Sequence, residues 1–374
     1  MIPALFVHHS GHLDAGGGGV QLCSREYFAA LTRAGFSLTP VEIPPDRRIE
    51  ARVRRRFWPD PYTTWINRDA AIRKIGQAGA SRPRWVFFNQ HSLGELAGRS
   101  RAVLPAATKY AMLSHGLEST DYLHEMRELG GPPGRNATKG RALMLGWRLV
   151  QEARHARQFD HLFCLSDFER EIEHWLGSAS ATVIPRTVTP APLDWRPLGS
   201  RLGFVGTLNH APNREGLLLF LDAYKAIGGR AEVRVVGGPA DDGRILAARY
   251  PCVTYLGALP ESALVEEAST WNCFLHPIFC YARGASTKLA TALAWQIPVA
   301  TTTTGFRGYS WRDGTIPCAD DPRSFALLAE TMLDRAVASR ASEQVRRVTA
   351  TLPTIDEVAA IIRERLESGQ GDAA

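Results

Sequence analysis

Short apolar segments alternate with amphipathic helical segments along most of the chain. Residues 5–9 are apolar, and in residues 20–34 the apolar positions recur at the spacing of a helix. Gly35 ends that segment, and residues 36–43 form the next predicted strand. The order strand, helix, strand favours a parallel sheet, because parallel neighbours need a crossover connection. The pattern therefore predicts a βαβ unit at the amino terminus.

The same alternation continues on both sides of a proline-rich segment. Residues 185–197 contain four prolines, which is typical of a linker. Further strands are predicted before it at 85–88, 110–113, 161–165 and 181–184, and after it at 202–206, 231–237, 253–256, 272–277, 298–301 and 315–318. The sequence therefore predicts an α/β protein with two doubly wound, Rossmann-like domains. Their predicted bounds are 1–190 and 201–340, with a linker at 191–200 and carboxy-terminal helices within 341–374.

Composition places the chain among globular proteins. It has 374 residues, of which 45% are hydrophobic and 22% are charged, and this length suffices for two ordinary domains. No apolar run reaches the roughly 18 residues that a membrane span needs, and the first residues lack a basic leader with a cleavage site. We therefore expect a cytoplasmic protein. Six scattered cysteines without a Cys-x-x-Cys pair predict neither a disulfide framework nor a zinc site.

The positive charge lies in the amino-terminal half. Residues 1–198 carry 26 Lys and Arg against 19 Asp and Glu, whereas the formal net charge of the whole chain is +6. Much of the excess lies between Arg47 and Arg56, where several arginines share one helical face. Such a cluster can contact an anionic membrane surface, or it can be a solvated helix face. Nucleic acid is not expected as a partner, because no nucleic-acid-binding motif accompanies the charge.

Residues 283–288, Arg-Gly-Ala-Ser-Thr-Lys, connect a predicted strand to a helix predicted over 285–295. The first backbone N–H groups of a helix have no partner within the helix, and the helix dipole adds positive charge there. The segment is therefore a candidate anion site, with Lys288 and Arg283 as its cations. The alternative is a plain βαβ connection in which a Ser or Thr side chain caps the helix.

Further candidates follow strands of the first predicted domain. A run of four glycines, residues 16–19, lies between a strand and a helix, where a backbone without Cβ atoms can approach a phosphate closely. Polar residues just past a strand face the ligand crevice of an open parallel sheet. At such a position, His115 and Glu118 are candidates for proton transfer or for binding hydroxyl groups. His9 and His91 follow two other strands and are acceptor-side candidates.

The order of short motifs in the second half resembles that of a known enzyme family. The motifs are Phe-Val-Gly at 204–206, Pro-Asn at 212–213, Val-Val-Gly at 235–237, Tyr-Leu-Gly at 255–257, and a block with Gly284, Lys288 and Pro298-Val299. This succession is similar to the donor-binding half of the GT-B glycosyltransferases, specifically of the retaining family 4. The resemblance covers residues 200–310 well and the amino-terminal half loosely.

The resemblance implies a GT-B fold with a nucleotide-sugar donor bound between the domains, and a last helix that returns to the first domain. The catalytic candidates are then His115, Glu118, Lys288 and Arg283. Donor contacts are implied for Gly17, Gly18, Gly19, Gly206, Asn213, Arg214, Gly237, Leu256, Gly284, Ala285, Ser286, Thr287 and Thr291. The chain departs from the family at two functional positions, since the usual glutamates, eight residues apart, fall on Arg283 and Thr291.

The expected function is the transfer of a hexose, with retention, from a UDP- or GDP-sugar to a glycan, polysaccharide or lipid-linked acceptor. No Asp-x-Asp pair is present, so the expected reaction uses no metal or other cofactor, and cations and dipoles stabilise the leaving diphosphate. The expected location is cytoplasmic or peripheral at the inner face of the cell membrane. Two alternatives stay open, a catalytically inactive glycosyltransferase-like scaffold and a sugar-nucleotide epimerase.

Overall fold

The first domain is built on a parallel sheet of six strands. The computed structural model describes residues 1–15, 18–58, 60–127, 139–281 and 283–368. The strands lie in the order β2-β1-β3-β4-β5-β6, and every neighbouring pair is parallel. Their bounds are β1 (Ile2–His9), β2 (Phe36–Ile43), β3 (Trp85–Asn89), β4 (Lys109–Leu113), β5 (His161–Cys164) and β6 (Ala181–Val183).

Helices cover both faces of this sheet. They are α1 (Gly19–Arg33), α2 (Ile49–Phe57), α3 (Pro61–Thr64), α4 (Arg68–Ala78), α5 (Gly94–Ser100), α6 (Glu118–Arg127), α7 (Lys139–Ala156) and α8 (Asp167–Trp175). Because successive strand residues point to opposite faces, Phe6 and Phe87 join one apolar core with Leu31 of α1, whereas Leu5 and Phe88 join the core on the other face. Burial on both faces explains why the strands are continuously apolar.

The second domain repeats this architecture with five parallel strands in the order β11-β10-β7-β8-β9. The strands are β7 (Arg201–Val205), β8 (Glu232–Val236), β9 (Val253–Gly257), β10 (Cys273–Leu275) and β11 (Val299–Ala300). The helices that follow β7 in the chain are α9 (Ala211–Ala226), α10 (Ala240–Arg249), α11 (Glu261–Ser269), α12 (Thr287–Trp295), α13 (Pro322–Thr331), α14 (Arg335–Ala350) and α15 (Ile355–Ser368). Two apolar clusters again lie on the two faces of the sheet.

The proline-rich segment runs along the second domain. It contains neither a helix nor a strand, but its backbone is held in place. The Ala191 N–H donates to the Ala294 carbonyl at 2.8 Å, and the Leu193 N–H donates to the Trp295 carbonyl at 3.0 Å. The segment therefore continues the edge of the second domain past the end of α12.

The last helix, α15, packs on the first domain. Its apolar residues Val358, Ile362 and Leu366 are buried in the same core as Leu31 of α1. A polar contact accompanies this packing, since the guanidinium of Arg363 donates to the Ala34 carbonyl at 3.2 Å. The chain therefore crosses back after completing the second sheet.

Two elements at the end of the second domain differ from the sequence prediction. The strand expected at 315–318 is reduced to a single bridge between Thr301 and Cys318, because β11 is only two residues long and offers little edge to pair with. Helix α14 begins at Arg335, before the carboxy-terminal helices predicted within 341–374, and its start lacks a clear sequence signal because its buried side is formed largely by alanine and valine between charged residues. Of the helices that the structure describes, none has the length and apolarity needed to cross a membrane.

Candidate functional site

A cavity of about 1120 Å³ lies between the two domains. The first domain contributes Gly18 and Gly19, which follow β1, and His115, which follows β4. The second domain contributes Gly206 after β7 and Gly237 after β8. All of these residues lie at the carboxyl ends of parallel strands, which is the edge at which open α/β sheets bind ligands.

The amino terminus of α12 opens into this cavity without a side-chain cap. The residue before the helix, Ser286, makes no capping hydrogen bond, because its hydroxyl is instead paired with Nε2 of His276 at 2.7 Å. The first N–H groups of the helix therefore keep their capacity to bind an anion. Thr287 and Lys288, the first two residues of α12, both line the cavity. The interpretation of this segment as a plain capped connection does not fit this geometry.

Lys288 supplies a half-buried positive charge at the same place. Its Nζ donates to Oδ1 of Asn213 at 2.5 Å, and Asn213 in turn donates to the Thr207 carbonyl at 3.0 Å. Among the residues that the structure describes, no carboxylate lies within ion-pair distance of this ammonium group. Burial lowers the pKa of Lys288 to about 8. A cation with only an amide as partner favours an anionic ligand in the cavity.

Arg283 also lines the cavity, but its charge is already matched. Its Nη1 donates to Glu118, its Nε lies 3.0 Å from Oδ2 of Asp121, and its backbone N–H donates to Oδ1 of Asp121 at 2.8 Å. Both carboxylates belong to α6 of the first domain. Arg283 is therefore an ion-pairing residue between the domains.

Further polar contacts hold the domains together around Arg283. Glu169 of α8 accepts the Gly284 N–H at 2.6 Å, and Nε2 of His124 lies 2.7 Å from the carboxylate of Glu215. Burial by itself lowers the pKa of His124, but its contacts with Cys280 and with the Glu215 carboxylate outweigh that effect and raise the pKa to about 10. The histidine therefore carries a positive charge at neutral pH, and the pair is ionic.

His115 is a neutral hydrogen-bonding group at the cavity wall. Its side chain is buried, and burial lowers its pKa well below the ordinary value. Its Nε2 is paired with Oδ1 of Asn89 at 2.8 Å, while the amide nitrogen of Asn89 donates to Ser24 at 2.8 Å. Because Oδ1 can only accept, the proton of His115 is on Nε2, and Nδ1 is left as an acceptor.

Most of the residues that the resemblance assigns to the donor line the cavity. They are Gly18, Gly19, Gly206, Asn213, Gly237, Gly284, Ala285, Ser286, Thr287 and Thr291. Arg214 does not line it, because its side chain is exposed on α9, and Leu256 packs at the margin of the second-domain core. Gly17 lies outside the described residues.

The remaining expected residues lie outside the cavity. Glu118 forms an ion pair with Arg283 instead of facing the cavity. His91 is fully buried, with Nε2 2.5 Å from Glu173, so it cannot contact an acceptor in this position. His9 opens into a separate pocket on the first domain.

Three cavity residues were not singled out in the sequence. Arg307 and Arg186 line the cavity; Arg307 donates to the Arg283 carbonyl at 3.2 Å, and Arg186 lies 3.0 Å from Glu26. His210 lies 3.9 Å from the Asp121 carboxylate. Arg307 follows β11 by a few residues, and this position past a strand end was the available signal. Arg186 lies in the proline-rich segment, where no local pattern marks it.

Two Rossmann-like domains with a ligand cavity between the facing sheet edges define the GT-B architecture. Residues 199–335 match the model of the family described as "Glycosyl transferases group 1". This match and the fold confirm the resemblance to GT-B glycosyltransferases that the motifs indicated. No curated protein matches the sequence.

Solved structures with the same fold cover the whole chain. A sucrose-phosphate synthase from Thermosynechococcus elongatus superposes with a TM-score of 0.68 at 17% identity, covering 100% of both chains. The Anabaena protein HepE, solved in complex with UDP and glucose, gives 0.65 at 13% identity, covering 98% of this chain and 100% of its own. The lipopolysaccharide outer core galactosyltransferase WaaB gives 0.60 at 11% identity, with the same two coverages. At these identities the likeness is one of fold.

Proposed function

We propose that this protein is a glycosyltransferase that moves a hexose from a nucleotide-sugar donor to a glycan, polysaccharide or lipid-linked acceptor. The observation that carries the proposal is the half-buried ammonium of Lys288, held by an amide rather than by a carboxylate, beside the uncapped amino terminus of α12. A diphosphate is the anion that this arrangement suits, because two adjacent phosphates can reach both the cation and the helix amides. The match of residues 199–335 to the group 1 glycosyltransferases supports the same function.

The glycine loop completes the proposed diphosphate site from the opposite domain. A Cβ atom on Gly19 would lie 2.9 Å from Oγ1 of Thr287, so the loop and the start of α12 approach each other closely. Only a residue without a side chain fits this approach. The leaving diphosphate would then be stabilised by the α12 dipole and by Lys288, without a requirement for a metal ion.

The two positions at which the family carries glutamates have other roles in this proposal. The hydroxyl of Thr291 donates to the Thr287 carbonyl at 3.1 Å, so its oxygen is left to accept a hydrogen bond from the ribose. Arg283 joins the two domains beside the donor cavity by pairing with Glu118 and Asp121. The neutral His115, with Nδ1 as an acceptor, is suited to a hydroxyl group of the donor sugar. We infer retention from the family alone.

The test is binding and then turnover. Isothermal titration with UDP, GDP, ADP and CDP is expected to show one preferred nucleotide, with UDP as the first candidate because HepE was solved with it. The corresponding nucleotide-sugars should then release that nucleotide in the presence of acceptor sugars. Binding without any release, including slow hydrolysis, would support an inactive scaffold instead. If none of the four nucleotides binds at millimolar concentration, the proposal is wrong.

A peripheral membrane location is part of the proposal because of the surface of α2. Ile49, Val53 and Phe57 are 79%, 50% and 78% exposed and share one helical face, opposite the buried Ala51. Exposed arginines flank this face. An apolar stripe flanked by basic residues is typical of helices that lie in a bilayer surface.

Vesicle flotation tests this location. Wild-type protein is expected to float with phosphatidylglycerol vesicles more than with phosphatidylcholine vesicles, and the binding should weaken with salt. Phe57→Ser should reduce it. Ile245→Ser on α10 of the second domain removes a side chain with 67% exposure and is the matched control. Equal binding of both variants, or none by the wild type, would leave α2 as a solvated helix.

A further inference from the structure

A second pocket opens on the first domain beside the donor cavity. It has a volume of about 450 Å³. Arg47, Arg52 and Arg55 line it, together with Trp65, whose side chain is 45% exposed, and His9. The proposed donor site makes no use of these residues.

The pocket carries an excess of positive charge. Among the residues that the structure describes, neither Arg47 nor Arg52 forms an ion pair. The one acidic side chain in its lining, that of Asp46, is occupied by Arg48, with Nε 3.0 Å from Oδ1 and Nη2 2.6 Å from Oδ2. These hydrogen bonds hold the pKa of Asp46 below its usual value, so its charge persists and is already matched. The net field in the pocket therefore favours an anion.

A row of imidazole rings joins this pocket to the donor cavity. The rings of His9 and His12 lie 5.2 Å apart, and those of His12 and His115 lie 6.5 Å apart. Burial lowers the pKa of His9 to about 3 and that of His12 to about 4, so both rings are neutral near pH 7. Neutral imidazoles can donate and accept hydrogen bonds with sugar hydroxyls. A molecule anchored in the pocket can thus extend over these rings toward the place where His115 meets the donor.

We propose that this pocket binds the acceptor through an anionic group, a phosphate or a carboxylate, held by Arg47, Arg52 and Arg55. Guanidinium groups suit both anions because their donors form a planar fork. The exposed face of Trp65 provides a surface for the sugar ring that carries the anion. The inference rests on the proposed transferase function and narrows its acceptor to an acidic molecule.

The test compares three probes that share a sugar ring, namely glucose, glucose 6-phosphate and glucuronate, by isothermal titration against the full chain. The two anionic probes are expected to bind in the millimolar range, with glucose at least about tenfold weaker, since a hydrogen bond to a charged group contributes roughly 1.5–3 kcal/mol. The stronger of the two anionic probes identifies the group. Equal binding of all three, or no binding of either anion, would overturn the proposal.

Two glutamine variants on the same helix separate a site from general attraction. Arg52→Gln removes a pocket arginine, whereas Arg56→Gln removes an exposed arginine that does not line the pocket, with the same change in net charge. The anionic probes should bind at least about tenfold more weakly to the first variant and unchanged to the second. Equal losses of affinity in the two variants would show that the anions respond only to the overall positive charge and not to a specific pocket. UDP affinity, measured on the same samples, should be unchanged in both, so failure of the donor site is seen separately.

Discussion

Arg283 of the second domain lies with Nε 3.0 Å from Oδ2 of Asp121 in the first domain, and it donates to Glu118 as well. The resemblance to family 4 implies a glutamate at this position, which is an arginine in this chain. A carboxylate there would face Glu118 and Asp121 and repel them, whereas the arginine attracts both. The arginine therefore joins the two domains, and in the proposed function the diphosphate is bound by Lys288 instead.

Replacing Arg283 by glutamine should lower the free energy of unfolding but have little effect on nucleotide affinity. Glu118 and Asp121 are each 14% exposed and would lose their counter-ion, which we expect to cost about 3 kcal/mol of unfolding free energy. Adding Glu118→Gln to Arg283→Gln should recover part of that loss. Calorimetry measures both effects. The UDP affinity should stay within about threefold of the wild type, and a loss as large as that of a Lys288 variant would assign Arg283 to the diphosphate instead.

Lys288→Gln should lower UDP affinity by about 10- to 100-fold, because a charged hydrogen bond to a phosphate contributes roughly 1.5–3 kcal/mol. Thermal stability should not fall, since the variant removes a half-buried cation whose partner is an amide. The matched control is Arg214→Gln, which removes an exposed positive charge near the start of α9. Isothermal titration measures both. Equal losses of UDP affinity would show that Arg214 belongs to the donor site and that Lys288 has no special role in binding the diphosphate.

The same lysine predicts how binding depends on pH. Its pKa in the free protein is lowered to about 8, so the ammonium is present below pH 8 and is lost as the pH rises through that value. UDP affinity should therefore fall between pH 7 and pH 9. The Lys288→Arg variant keeps its charge over this range and should give a flat profile. A fall of the same size in that variant would point to another titrating group.

The local part of the site could be predicted from the sequence. The segment 283–288 could be placed at the start of a helix because strand, turn and helix are neighbours in the chain. The partners of its side chains could not. Asp121 lies 162 positions before Arg283 and Asn213 lies 75 before Lys288, and no periodic pattern connects such distant residues.

The same distinction explains the errors in the fold. Continuous apolar strands such as β3 were predicted within one residue, since burial on both faces leaves a strong signal. Helix α14 buries Ala338, Ala341 and Val345 among arginines, and this weak pattern did not reveal where the helix begins. His91 follows a strand, as a ligand-binding residue would, but α8 supplies Glu173 as its buried partner. Position after a strand therefore predicts a candidate, and packing decides whether it is accessible.

Gly116→Ala should separate the two domains. Gly116 has a φ of +90°, and an added Cβ atom would collide with the Gly284 backbone nitrogen and the Arg283 Cβ atom across the domain interface. Gly35→Ala is the matched control, because its φ is +99° but an added Cβ would meet nothing within 4 Å. Both variants carry the cost of a left-handed alanine, about 1 kcal/mol. We expect only Gly116→Ala to increase the radius of gyration in small-angle scattering and to lower UDP affinity. If the two variants behave identically, the domain interface accommodates the added Cβ atom and the prediction is wrong.

The return of α15 to the first domain makes the end of the chain necessary for the stability of its beginning. Ile362 is fully buried against the core that contains Leu31, and Ile362→Ala should lower the unfolding free energy by about 2–5 kcal/mol. Its neighbour Ile361 is only half-buried, so Ile361→Ala makes the same chemical change and should cost less than about 1 kcal/mol. In Ile362→Ala, protection from hydrogen exchange should fall in β1 and α1 rather than in the second sheet. If protection falls instead in β7 and β8, α15 stabilises the second domain, and its return to the first domain contributes little to the stability of that domain.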